Sequence, residues 1–247
     1  MKKLINWHTV FIVSLLALSA VLYSSQIFIF HKPRDTYFYI FQDIAFLPIY
    51  VIIVTLMVDK LLQSREQEAL LNKMNMVIGA FFSELGNKLI VEYREFDPDA
   101  ERTLDMLRIR MDWTEKDFLR TQKLVRSKKL NIECGRGDLL KLRSLLLSKR
   151  SFMLRLLENP NLLEHDTFSD LLWSVFHLTE ELEYRKDPQT LCRPDGEHIS
   201  NDMKRAFSLL IFEWLSYAKH LKKDYPYLYS LAVRTNPFDP ASKAEIS

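Results

Sequence analysis

The sequence predicts an all-α protein: an N-terminal two-helix transmembrane hairpin continuing into a cytosolic helical bundle. Three observations carry that prediction. The chain has only five glycines and nine prolines in 247 residues and is rich in Leu, Lys, Arg and Glu, a composition of strong helix formers. Two long apolar runs, 10–30 and 44–58, stand close together near the N-terminus. From Asp59 to Tyr93 no proline interrupts a stretch of good helix formers, so the second span and the first cytosolic helix read as one rod.

The first span is the 21-residue uncharged run 10–30. At about 1.5 Å per residue it covers about 30 Å, the thickness of a hydrocarbon core. A cleaved leader is the rival reading, because Lys2 and Lys3 precede the run and Ala17-Leu18-Ser19 loosely resembles a cleavage site. The run is longer than the apolar region of such leaders, about 7–15 residues. Ser14, Ala17, Ala20 and Ser24 recur at helical spacing, a small-residue stripe expected to pack on the second span.

His31-Lys32-Pro33-Arg34-Asp35 reads as a polar turn, and the aromatic cluster from Tyr37 to Phe41 that follows it suits the headgroup level. The second span occupies about 39–58 and contains Gln42, Asp43 and Pro48, with a kink expected at Pro48. Asp43 is the ionisable residue inside a span, with Gln26 as its expected partner. Such a residue either faces protein or water, or snorkels toward the interface. Five basic residues flank the spans outside the turn (Lys2, Lys3, Lys60, Arg65, Lys73) against Lys32 and Arg34 within it. The positive-inside tendency therefore puts both termini in the cytoplasm of a cell (inner or plasma) membrane.

Residues 59–69 are expected to form an exposed helical linker, and 70–237 a cytosolic helical domain. Leu70, Met74, Val77, Phe81, Leu85 and Leu89 share one face of the rod. Further helices are predicted over 99–111, 115–129 (opened by a Thr114/Asp117 capping box), 138–158 (capped by Asp138), 166–184, 198–222 and from Pro226 to the Asn236-Pro237 stop. The segment 185–197 reads as loop, and 238–247 as a disordered tail. The block NPNLLEHDTFSDLLWSVFHLTEELEYRKD and the ending DYPYLYSLAVRTNPFD resemble an uncharacterised family of two-span prokaryotic membrane proteins. That resemblance implies membrane location and a helical cytosolic domain, and carries no activity or site residues.

Residues 1–58 hold four Lys/Arg and two acids, which leaves the rest formally neutral with 30 of each sign. Neutrality gives no global electrostatic reason to bind nucleic acid. Cys134 and Cys192 lack the CxxC spacing of a zinc or redox site. Cys134-Gly135-Arg136-Gly137-Asp138 has neither the GxxxxGK[ST] nor the GxGxxG pattern, so it reads as a glycine turn before a capped helix. His177 and Glu181 lie with Asp170 and Ser174 opposite the apolar stripe of their helix and read as its solvated face. Glu213 and His220 are placed at the edge of another polar face. No Glu-x-x-His of a bundle metal site occurs, nor GxSxG or HExxH. The expectation is therefore no catalytic site, no metal and no cofactor.

The clearest asymmetry is electrostatic. Residues 116–155 carry twelve Lys/Arg against three acids, and 156–202 carry three against eleven. Either neighbouring helices complement each other, or Lys141, Arg143, Lys149 and Arg150 present a basic surface to an acidic partner or lipid. The functional expectation is a membrane-anchored interaction or scaffold module. Its partners would be the lipid bilayer and another protein or a second copy. A small oligomeric channel or mechanosensor lined by the spans is the runner-up, and an integral-membrane enzyme comes third.

Overall fold

The computed structural model describes residues 7–30, 33–127, 130–160, 162 and 166–245. Every regular element among them is helical. Lys2, Lys3, the His31-Lys32 part of the turn, the end of the helix expected over 115–129, and residues 246–247 lie outside them. The chain divides into two units, residues 1–67 and 68–247.

In the first unit, α1 (Trp7–Phe30) and the beginning of α2 (Pro33–Phe81) carry their apolar side chains outward. From Ile44 to Val58 nearly every large apolar residue is exposed. Ser14, Ser24 and Ser25 donate their hydroxyls to carbonyls three or four residues back, at 2.7–2.8 Å, which satisfies them within their own helix. The small-residue stripe is corrected here. Ser14, Ala17, Ala20 and Ser24 are exposed, and the half-buried positions of α1 are Tyr23, Ser25, Gln26 and Ile27. Residues 59–69 are helical and exposed throughout.

The rod is longer than its apolar part: one helix runs from Arg34 to Arg94. Within it, Phe82–Gly86 forms a π turn, with the Asn87 amide bonded to the Phe82 carbonyl. One extra residue per turn widens the buried face, so the pairs Phe81/Phe82, Leu85/Gly86 and Leu89/Ile90 are all buried. Gly86 makes room for this, because a Cβ there would lie 2.5 Å from Phe82 Cδ1. The helix continues as α3 (Asn87–Arg94).

The second unit is built around α9 (Arg193–Asp224), on which α3, α5 (Glu115–Ser127), α8 (Asp166–Tyr184) and α10 (Pro226–Arg234) all pack. α6 (Leu139–Ser148) and α7 (Arg150–Leu157) cover α8. Because α9 has neighbours on several sides it lacks a wide polar face, and Glu213 is fully buried, not edge-placed. The local signals act as their chemistry requires. Asp138 Oδ1 accepts from the Leu140 and Lys141 amides at 2.9 and 3.0 Å. Asp117 Oδ2 accepts from both the amide and the hydroxyl of Thr114 at 2.7 Å.

Four further expectations need correction. α4 (Ala100–Leu107) stops before Arg108, where the backbone turns extended and Ile109 enters the core. The helix expected over 138–158 breaks at Lys149 into α6 and α7. α9 opens at Arg193, inside the expected loop, with proline in its first turn. Phe238, assigned to a disordered tail, is fully buried.

Candidate functional site

α8 and α9 are consecutive helices joined by residues 185–192. Each carries a histidine followed four residues later by an acid: His177 and Glu181 on α8, His198 and Asp202 on α9. Four residues is about one turn, so each pair lies on one helix face. The chain doubles back between the helices, and the pairs meet crosswise. His177 Nε2 lies 3.5 Å from Asp202 Oδ2, and His198 Nε2 lies 3.6 Å from Glu181 Oε2. The within-helix separations are similar, 3.8 Å for His177–Glu181 and 3.3 Å for His198–Asp202.

Burial grades across the cluster. Asp202 is 5% exposed, whereas the side chains of His177 and His198 are 47% and 51% exposed. Asp202 Oδ2 is sealed from solvent and accepts no hydrogen bond. Its other oxygen faces Arg205 at 3.8 Å. Beneath the histidines, Arg185 donates to Glu181 Oε2 at 2.5 Å and forks onto Asp195 at 2.5 and 3.0 Å. That guanidinium holds the Glu181 and Asp195 carboxyls below the ordinary carboxylate range, so both stay ionised. One donor atom each from His177, His198 and Asp202 lies within 4.8 Å of the others. Of these residues the sequence reading singled out only His177 and Glu181, as solvated surface. The signal that finds the rest is the His-x-x-x-acid spacing repeated on two consecutive helices.

The other sequence candidates fall elsewhere. Asp43 Oδ2 accepts from the Tyr23 hydroxyl at 2.7 Å; the residue bonded to it is Tyr23 and not Gln26. Lys141 pairs with Glu92 at 3.0 Å and Lys149 with Glu84 at 2.7 Å. Arg150 faces Glu183 and Glu180 at 3.4 and 3.8 Å, and Arg143 donates to the Glu183 carbonyl at 3.2 Å. Two of these four basic groups therefore turn toward the rod and two toward α8. In the glycine turn, the Cys134 amide donates to Ser200 Oγ at 3.0 Å and the Arg136 amide to the Glu133 carbonyl at 3.1 Å. The Leu140 and Lys141 amides are held by Asp138. His220 is engaged by Asp224, 2.9 Å from its Nδ1, and burial pushes its pKa down.

Residues 70–234 match the C-terminal helical domain of the uncharacterized protein MJ1433, and residues 2–62 match its N-terminal helical domain. The chain belongs to the MJ1433 family. The uncharacterized protein MJ1433 of Methanocaldococcus jannaschii is 43% identical over 230 residues, covering 93% of this chain and 92% of that protein. No solved structure matches. The whole α8–α9 cluster lies inside the segment matched to the C-terminal domain of the family.

Proposed function

We propose that the chain is a membrane-anchored helical interaction module. In this reading α1 and the first part of α2 form a hairpin in the bilayer, and the second unit meets a protein partner in the cytoplasm. The observation that carries it is the apolar sleeve of α2. Phe46, Leu47, Ile49, Val51, Ile52, Ile53, Val54, Leu56 and Met57 all face outward, and a surface of that extent is stable against lipid and unstable in water. The 61-residue helix containing it is long and apolar enough to cross a membrane.

The partner surface best supported is the outer face of α5. Leu119 and Leu124 are exposed there among Lys116, Arg120 and Lys123 in a shallow groove. None of these three basic groups has an ion pair among the described residues, unlike Lys141, Lys149 and Arg150. An apolar seam rimmed by cations suits an acidic amphipathic segment. Carbonate extraction of membranes from cells expressing the full chain is the test. The chain should stay in the membrane pellet, and a chain lacking residues 1–58 should be released. Release of the full chain would overturn the anchoring.

A further inference from the structure

The α8–α9 cluster has a geometry that ion pairing alone does not explain. A charge-assisted hydrogen bond from imidazole to carboxylate is short, about 2.7–2.9 Å. Here the four nitrogen–oxygen separations run from 3.3 to 3.8 Å. A buried carboxylate oxygen with no donor is costly, and Asp202 Oδ2 is one, aimed at two imidazole nitrogens. The two separations to Asp202 Oδ2, 3.5 Å from His177 Nε2 and 3.3 Å from His198 Nε2, come close to those of a different object. Four ligands about 2.0–2.1 Å from a tetrahedral zinc ion lie about 3.3–3.4 Å apart.

We infer that His177 Nε2, His198 Nε2 and Asp202 Oδ2, which lie within 4.8 Å of one another, form a three-donor binding site for a divalent transition-metal ion of the zinc class, with its remaining position open to solvent. Two imidazoles with carboxylates and no thiolate suit Zn2+ and its first-row neighbours; Mg2+ and Ca2+ prefer all-oxygen sites. The Asp202 ligand and the neighbouring Glu181 carboxylate together offset the charge of the dication. The doubled His-x-x-x-acid spacing delivers the donors from two helix faces that packing already holds side by side, so little rearrangement is needed. Arg185, tied to Asp195, holds the Glu181 carboxylate beside both imidazoles, 3.8 Å from His177 Nε2 and 3.6 Å from His198 Nε2. Outer groups of this kind orient ligating imidazoles. The half-exposed imidazoles leave an entry path from solvent.

The test uses the full-length chain purified in detergent without a histidine tag, stripped with a chelator and titrated with Zn2+ against a chromophoric competitor. One equivalent should bind. Co2+ in its place should give the strong visible absorption of a tetrahedral site. His198→Ala, at an exposed position, should change the metal-free melting curve little and weaken Zn2+ binding by at least about tenfold; Asp202→Asn should weaken binding likewise. His220→Ala should not. Zinc should also raise the melting temperature of the wild-type chain and leave that of His177→Ala/His198→Ala unmoved. No stoichiometric uptake, or uptake unchanged in His198→Ala and in the double variant, would overturn the site and leave the cluster as histidine–carboxylate ion pairs.

Discussion

Phe238 meets Trp214 edge-on, with ring centroids 5.1 Å apart and Phe238 fully buried. The chain beyond α10 therefore closes back onto α9. The Asn236 side chain holds the turn by accepting from the Phe238 amide at 3.0 Å. Phe238→Ala should lower stability by about 3–5 kcal/mol, the cost of an emptied aromatic site. Removing the chain from residue 240 onward should cost far less, because 240, 241 and 243–245 are exposed. Denaturant titration of the two variants in detergent separates them.

Gly137 carries the second prediction. A Cβ there would lie 2.7 Å from Phe96 Cε1, whereas at Gly135 it would meet nothing within 4 Å. Phe96 is buried at the end of the rod, so its ring has little room to give way. Gly137→Ala should destabilise by about 1–3 kcal/mol, as overpacking does. Gly135→Ala should be close to silent in the same melting assay.

These contrasts mark what the sequence carries. The Asp138 cap and the Thr114/Asp117 box are local chemistry between residues two or three apart, and both are readable without a fold. The break at Lys149 is not. Ser148, Lys149 and Arg150 are ordinary helix residues, and Lys149 takes a non-helical φ of −107° where α6 gives way to α7, its amine reaching Glu84, 65 residues away. The π turn is equally silent, because its consequence is a widened buried face rather than a changed pattern. Phe238 looked like tail because nothing in PFDPASKAEIS announces Trp214 as its neighbour. The α8–α9 cluster lay between these extremes. A wheel drawn for α8 alone puts His177 and Glu181 in solvent. Only the matching spacing of His198 and Asp202, read together with the short connection, brings the two faces together.

The Lys149–Glu84 pair predicts a pH dependence. The hydrogen bond and charge of Lys149 hold the Glu84 carboxyl below its ordinary value of 4.5. Its contribution to stability is thus complete above that value and is lost as pH falls through the lowered folded-state value. Lys149→Met should flatten the decline of the melting temperature with acidification in that range. It should change the profile little near neutrality, apart from a constant offset. An unchanged acid limb would show that Glu84 gains nothing from Lys149.

Tyr23 and Asp43 give a prediction inside the proposed hairpin. Their 2.7 Å hydrogen bond joins α1 to α2, and interhelical bonds of this type in lipid average about 0.6 kcal/mol. Asp43→Leu leaves the Tyr23 hydroxyl without its acceptor and should lower thermal stability in detergent. Adding Tyr23→Phe should recover part of the loss. If Asp43→Leu is silent alone, the carboxylate contributes nothing to the hairpin.

The last prediction concerns orientation, and the structure decides where to place the reporters. The basic residues outside the turn outnumber those within it by five to two, which favours cytoplasmic termini and an external turn. Thr36 lies in the turn region but is buried, so a cysteine there would react slowly on either side. Tyr37 is exposed and one residue away. Of the native thiols, Cys134 is half-buried and donates to the Gly196 carbonyl at 3.2 Å, while Cys192 is exposed. In intact cells an impermeant maleimide should modify Tyr37→Cys and spare Cys192. Permeabilisation should then expose Cys192 to the reagent, with Cys192→Ser as the control for Cys134. Modification of Cys192 before permeabilisation would place the helical unit outside the cell and reverse the orientation. A wild-type chain that labels at Cys192 with no membrane association at all would remove the bilayer from the account, leaving the apolar sleeve of α2 to be covered by protein.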